Sequence, residues 1–175
     1  VMYDDLGSIS TFNANDVRQL TERGIKCVTF NPFVVLSGNL NYRDHRKMLI
    51  VDGRVAYTGG INLADEYINR LDRFGHWKDS AIRLEGEAAW NMTVIFLGQW
   101  ELTRHVHEDY MRFYPWRERR CETPDDGYVI SYADSPVDDE NVGEHVYLQI
   151  INAARPYLYI CSPYLIVDDT LVSAL

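Results

Sequence analysis

Residues 48–58 constrain the fold more than any other stretch of the chain. Met48-Leu49-Ile50-Val51 and Arg54-Val55-Ala56-Tyr57-Thr58 are largely apolar and rich in β-branched residues, and Asp52-Gly53 separates them. A two-residue Asp-Gly step between such runs predicts a β-hairpin with a type I′ turn. Its strands are expected at Lys47–Val51 and Arg54–Thr58, with Met48, Leu49, Ile50 and Val51 all buried. Such a hairpin has to bury a face against another layer. A chain of 175 residues, 46% hydrophobic, is long enough for one sizeable core.

The flanking segments alternate between strand and helix. Val1–Tyr3 reads as a strand running into a polar loop at Asp4–Ser8. Asn13 is placed to cap a helix to about Arg23, closed by Gly24. Ile25–Phe30 reads as a strand, and 31–40 as a loop with Pro32 and Gly38. After Gly59-Gly60 come a short helical stretch near Leu63–Ile68, a strand at Trp77–Leu84 and a helix at Glu87–Thr103. The helix places Ala88, Met92, Ile95, Phe96 and Trp100 on one apolar face.

Residues 104–127 are aromatic, polar and irregular. Beyond them the expected elements are a strand at Tyr128–Tyr132, an acidic loop at Asp134–Glu144, a helix at Glu144–Ala154, a strand at Tyr157–Cys161 and a helix from Asp168. This order indicates an α/β sandwich, a mixed sheet flanked by helices. A module boundary is expected near 121–127. Val1–Tyr3 resembles the tail of a buried strand, and the chain stops inside a helix-like pattern at Asp169–Leu175. An internal slice of a longer protein is therefore expected.

The formal net charge is −9, a field that repels nucleic acid unless a local basic pocket opposes it. Cys27, Cys121 and Cys161 are odd in number and form no CxxC pair, so neither a disulfide framework nor a zinc knuckle is expected. Cys27 and Cys161 lie in apolar runs and read as buried. No apolar run reaches the roughly 18–20 residues of a spanning helix.

The chemistry concentrates at 45–62. His45 and Lys47 are two residues apart, and on a strand they would share a face. An imidazole and an ammonium so placed suit attack on a phosphate and neutralisation of its charge. A lone histidine is more often structural, and a lysine at a solvated strand edge needs no anion. Lys47 beside an apolar run, however, calls for an anion to meet it. Gly59-Gly60 is either an ordinary turn or a place where backbone approaches a ligand, with the Asn62 amide as donor to phosphate oxygens. Asp52, at the turn, reads chiefly as a turn residue. Asp65, Glu66 and Tyr67 are candidates for the pocket edge, although carboxylates at a helix start need no such role. His105 and His107 lack further ligands at supporting spacing, so no metal is expected. Tyr110, Phe113, Tyr114, Trp116, Arg117, Arg119 and Arg120 form either a packed loop or a surface for anionic headgroups.

The spacing H-x-K-x4-D, at His45, Lys47 and Asp52, followed by G-G-x-N ending at Asn62, resembles the phospholipase D superfamily. Tyr3–Ser8, Asn41–Lys47, Gly59–Asn62 with Asp65–Tyr67, and Trp77-Lys78-Asp79 ahead of Leu84–Glu87 are similar to its bacterial cardiolipin synthase branch. Ser162-Pro163-Tyr164 is similar to the opening of that branch's second half. The resemblance implies a phospholipase D-like α/β/α sandwich, with 1–120 as a first half, 121–145 as an acidic connection and 146–175 as the start of a second half. It implies ping-pong phosphatidyl transfer between two phosphatidylglycerol molecules, without cofactor or metal. One histidine attacks phosphorus and a second, from the other half, handles the leaving glycerol. His45, Lys47, Asp52 and Asp79 are then the catalytic set, with Asp79 orienting the imidazole. Lys47, Asn62 and Gly60 bind phosphate. The parent protein is expected at the cell membrane with its catalytic domain on the cytoplasmic side, the 175-residue piece itself being soluble.

No second H-x-K occurs, since neither His76 nor His145 has a lysine two residues on. The chain is therefore expected to carry half an active site and to be inactive as a monomer. Its partners are an anionic membrane surface, the second catalytic half and, for the isolated piece, another copy of itself. A single-motif phosphodiesterase or nuclease acting as a homodimer is the alternative, and a non-catalytic scaffold the third reading. The charge of −9 opposes the nuclease, and intact His45, Lys47 and Asn62 oppose the scaffold.

Overall fold

The computed structural model describes residues 1–32, 43–116, 127–135, 139–162 and 167–175. They form two compact units, Val1–Ser131 and Tyr132–Leu175.

In the first unit, β1 (Met2–Asp4) pairs in parallel with β2 (Val28–Phe30), placing Tyr3 opposite Thr29. The Thr29 hydroxyl donates to the Tyr3 phenol oxygen at 2.7 Å. The polar loop expected after β1 is instead a short helix, α1 (Asp5–Ser8). The Asp4 carboxylate caps it by accepting from the Gly7 amide at 3.0 Å. The next helix, α2 (Ala14–Glu22), starts as expected at Asn13. Asn13 accepts from the Asn15 amide at 2.8 Å, and the Asp16 carboxylate accepts from the Asn13 amide at 2.9 Å. Gly24 then takes a positive φ of 81° just beyond the helix.

The hairpin forms as β3 (Met48–Val51) and β4 (Val55–Gly59), and β5 (Ala81–Glu85) adds to β4 in antiparallel register. Asp52 and Gly53 both have positive φ, 54° and 67°, as a type I′ turn requires. The run 48–51 is not buried throughout. Met48 and Ile50 pack inward, whereas Leu49 and Val51 are 61% and 45% exposed. Among the described residues only one face of this sheet meets a helix, and successive side chains alternate between the faces.

That helix is α3 (Glu87–Arg104). Its Ala89 and Met92 bury Ala56 of β4, with Met48, Ile50, Leu84 and Ile95 packed around them. Further along, Leu97 and Trp100 are buried. The buried stripe runs through Ala89, Met92, Leu97 and Trp100, and the expected face members Ala88, Ile95 and Phe96 are half-buried. Among the described residues the strands form two ladders, β1–β2 and β3–β4–β5, rather than one mixed sheet. The α/β class holds.

Gly59 closes the β4–β5 ladder opposite Ala81. A Cβ there would fall on the Ser80 carbonyl oxygen, which is backbone and cannot move aside. Gly59→Ala is expected to destabilise the fold by about 1–3 kcal/mol, read from the urea midpoint.

The second unit contains α4 (Val142–Ala153) and α5 (Asp169–Ala174). The Gly143 amide donates to the Asp134 carboxylate at 2.9 Å, and Asp168 caps α5 through the Leu171 amide at 2.8 Å. The strands expected at Tyr128–Tyr132 and Tyr157–Cys161 are not formed, because neither segment has a ladder partner among the described residues. Tyr159 is correspondingly 88% exposed. Cys161 is exposed rather than buried, and Cys27 is half-buried. The loop expected at 33–40, Arg117, Arg119, Arg120, Cys121 and Pro163-Tyr164 lie outside the described residues.

Candidate active site

The register of the antiparallel sheet decides which motif residues are neighbours. Met48 pairs with Thr58, Thr58 with Ile82, and Gly59 with Ala81. Lys47 therefore leads into this row, Gly60 and Asn62 leave it, and Asp79 lies two residues before the third strand, β5. Asp52 departs from the other end of β3, five residues on, or roughly 17 Å along an extended strand. It is exposed and left-handed, and it does not join the other members of the motif. Asp52→Ala should therefore cost about 1–2 kcal/mol of stability, because an alanine resists that backbone region. Turnover per folded molecule should be unchanged, a comparison that denaturation and steady-state assays make directly.

Asp79 is held from two sides. Its Oδ2 accepts from the Trp77 indole at 3.2 Å and its Oδ1 from the Ser80 amide at 2.8 Å. Trp77 is itself fixed by Asn69, whose amide oxygen accepts from the Trp77 N–H at 2.6 Å and whose amide nitrogen donates to the Trp77 carbonyl at 2.9 Å. Tyr67 packs edge-on against Trp77 at 5.0 Å, and Phe74 lies 5.7 Å away on a tilt. Tyr67 thus supports the tryptophan that orients Asp79. Glu66 is taken by Arg73 at 3.4 Å. Gly60 passes so close to Asp79 that a Cβ would sit 2.6 Å from Oδ1. The glycine here permits the approach of β4's end to the carboxylate.

Lys47 is half-buried, and its ammonium donates to the His45 carbonyl at 2.6 Å. Burial pushes its pKa below the ordinary lysine value, and Asp44 and Asp79 partly oppose that fall. The Asp44 carboxyl is pushed up by burial, but Arg46 outweighs this through its guanidinium and its amide, with help from Lys47, and leaves it below the usual carboxylate range. Arg46 grips Asp44 with two guanidinium bonds of 2.8 and 2.7 Å. The pairing of Asp44 with Arg46 was not anticipated from the sequence.

His45 and Lys47 do not lie on a strand, as the spacing led one to expect. Both precede β3, which begins at Met48. His45 is exposed, and among the described residues its ring makes no hydrogen bond. The expected bond from His45 to Asp79 is not made. Each Asp79 oxygen keeps a lone pair beyond its present bond, so the carboxylate retains capacity for an imidazole. The Asn62 amide is half-buried and has no hydrogen-bond partner among the described residues.

The aromatic stretch after α3 is partly packed. Tyr110 donates to Glu101 at 2.8 Å, and burial together with that bond pushes its pKa up to about 12. Tyr114 packs edge-on against both Trp90 and Trp116. His107 Nδ1 lies 3.0 Å from Glu101. Among the described residues no group of three or more His, Cys, Asp or Glu is disposed to hold a metal ion, and no helix is long and apolar enough to cross a membrane.

No protein-family model and no solved structure matches the chain. Its similarity lies with bacterial proteins of about three times its length. A cardiolipin synthase of Listeria innocua is 35% identical over 179 residues, covering 100% of this chain and 36% of its own length. A cardiolipin synthase of Alkalihalophilus pseudofirmus is 32% identical over 176 residues, covering 99% and 34%. An uncharacterised protein of Streptococcus mutans is 48% identical over 177 residues, covering 100% and 38%. The chain thus spans about a third of the length of the curated relatives it matches.

Proposed function

We propose that this chain is the segment of a cardiolipin synthase-like phosphatidyltransferase that carries the first of two H-x-K motifs. The observation that carries this reading is the approach of Lys47, Gly60 and Asp79 at one end of the β3–β4–β5 sheet, with His45 two residues before Lys47 and Asn62 two residues after Gly60 in the chain. The similarity to proteins named cardiolipin synthase supports the choice of lipid over other phosphodiesters.

His45 attacks the phosphorus of one phosphatidylglycerol. The P–N bond forms, the P–O bond to the headgroup glycerol breaks, and the departing oxygen takes a proton from the histidine of the second motif. That histidine then removes the proton from the headgroup hydroxyl of a second phosphatidylglycerol. The oxygen attacks phosphohistidine, the P–N bond breaks, and cardiolipin leaves. Lys47 and the Asn62 amide hold the non-bridging oxygens as charge grows on them. Asp79 balances Lys47, and its free lone pairs accept from the His45 imidazole only once substrate is bound. No cofactor or metal enters these steps.

Residues 1–120 belong to the first half of a phospholipase D-like sandwich, 121–145 connect, and 146–175 begin the second half. The whole protein works at an anionic membrane surface, and this chain by itself is inactive or pairs with a second copy. Incubation of the full-length protein with phosphatidylglycerol vesicles, and separately with DNA, tests the reading. Cardiolipin and free glycerol in equal amounts are expected. DNA cleavage with no lipid product would replace this reading with that of a homodimeric nuclease.

A further inference from the structure

Asp4 lies at the end of β1, and its side chain is only 12% exposed. A carboxylate so placed costs free energy unless donors meet it. Two segments supply them, α1 and residues 43–44. Oδ1 accepts from the Gly7 amide at 3.0 Å, in the first turn of α1. Oδ2 accepts from the Asp44 amide at 3.1 Å. The Arg43 guanidinium lies 3.5 Å from Oδ1 and also donates to the Asn31 carbonyl at 3.1 Å.

The next link is Asp44 itself, whose Oδ1 accepts from the Arg46 amide at 3.0 Å. The amides of Asp44 and Arg46, the residues flanking His45, are therefore each held by a carboxylate. Between them the His45 ring is exposed and makes no hydrogen bond among the described residues. A side chain without partners of its own takes its aim from its backbone. That backbone precedes β3 and has no ladder partner among the described residues. Asp4 and Asp44 do for residues 43–46 what a neighbouring strand would do elsewhere.

We infer that Asp4 is a positioning residue for His45, acting through the Asp44 amide to hold the histidine where it meets phosphorus. This rests on the reading of His45 as the nucleophile. A misplacement of about 1 Å at a reacting atom costs on the order of 10²-fold in rate.

The test compares Asp4→Ala and Asp4→Asn in the full-length protein, by steady-state transfer on phosphatidylglycerol vesicles and by amide hydrogen exchange. Asp4→Ala is expected to lower kcat about 10²-fold with KM within about twofold, because substrate binding does not pass through Asp4. Exchange at the Asp44 amide should quicken. Asp4→Asn keeps a carbonyl oxygen for that amide and should recover about tenfold of the lost kcat. An unchanged kcat in Asp4→Ala would overturn the inference. So would a loss that only tracks the unfolded fraction, or one that Asn does not relieve. If the wild-type protein transfers no lipid, the functional reading fails by itself, and hydrogen exchange then decides the role of Asp4. Faster exchange at Asp44 in Asp4→Ala supports positioning, and unaltered protection overturns it.

Discussion

His45→Ala in the full-length protein should reduce phosphatidyl transfer by about 10⁴-fold or more, the scale on which removing a covalent nucleophile acts. The same substitution should leave stability within about 0.5 kcal/mol, because an exposed ring with no bonded partner among the described residues contributes little to folding. That separation makes the result interpretable: a folded and inactive variant places the loss in the chemistry. Trapping with labelled phosphatidylglycerol should give a phosphohistidine on the wild-type protein and none on the variant. Near-normal transfer by His45→Ala would remove His45 from the mechanism.

Lys47→Met should cost about 10²–10³-fold in kcat, comparable to the loss of one preorganised donor to a developing oxyanion. Its stability should hold or rise, since burial already disfavours the charged ammonium and methionine fills similar space. The pH dependence follows from the same burial. A cation whose pKa lies below the ordinary lysine value of 10.5 loses its proton at a lower pH than a free lysine does. Wild-type activity should thus fall on the alkaline side through a pKa below 10.5. The folded protein binds that proton less tightly than the unfolded chain, so this group makes stability rise as pH climbs toward 10.5. Lys47→Arg, whatever its residual activity, should lose the alkaline limb, because a guanidinium stays charged throughout. An unshifted limb in Lys47→Arg would assign the titration to another group.

Local rules made several elements legible in advance. The Asp52-Gly53 turn, the Asn13 cap and the stop at Gly24 each depend on a few adjacent residues, and each is found where expected. The helix at Glu87–Arg104 was readable for a similar reason, since a long apolar period carries its own evidence. The strands at Tyr128–Tyr132 and Tyr157–Cys161 were misread because alternation describes a face and says nothing of a pairing partner. The same limit applied to His45 and Lys47, whose spacing suits a strand although the ladder begins only at Met48.

The motif residues themselves could be picked out in the sequence, because a lysine beside an apolar run, two residues after a histidine and followed by a glycine pair, is chemically conspicuous. Their grouping could not. Asp79 lies 32 residues beyond Lys47 in the chain, and only the β4–β5 register brings the two to one end of a sheet, while the same register carries Asp52 to the other. Asp4 is further still, tied to the Asp44 amide across 40 residues. Turn chemistry and helix caps act over neighbours, so the sequence by itself determined the hairpin, the start of α2 at Asn13 and the residues proposed to handle a phosphate. Ladder register and buried carboxylate bonds act across the chain, so the tertiary structure alone decided which of those residues meet and what holds His45 in place.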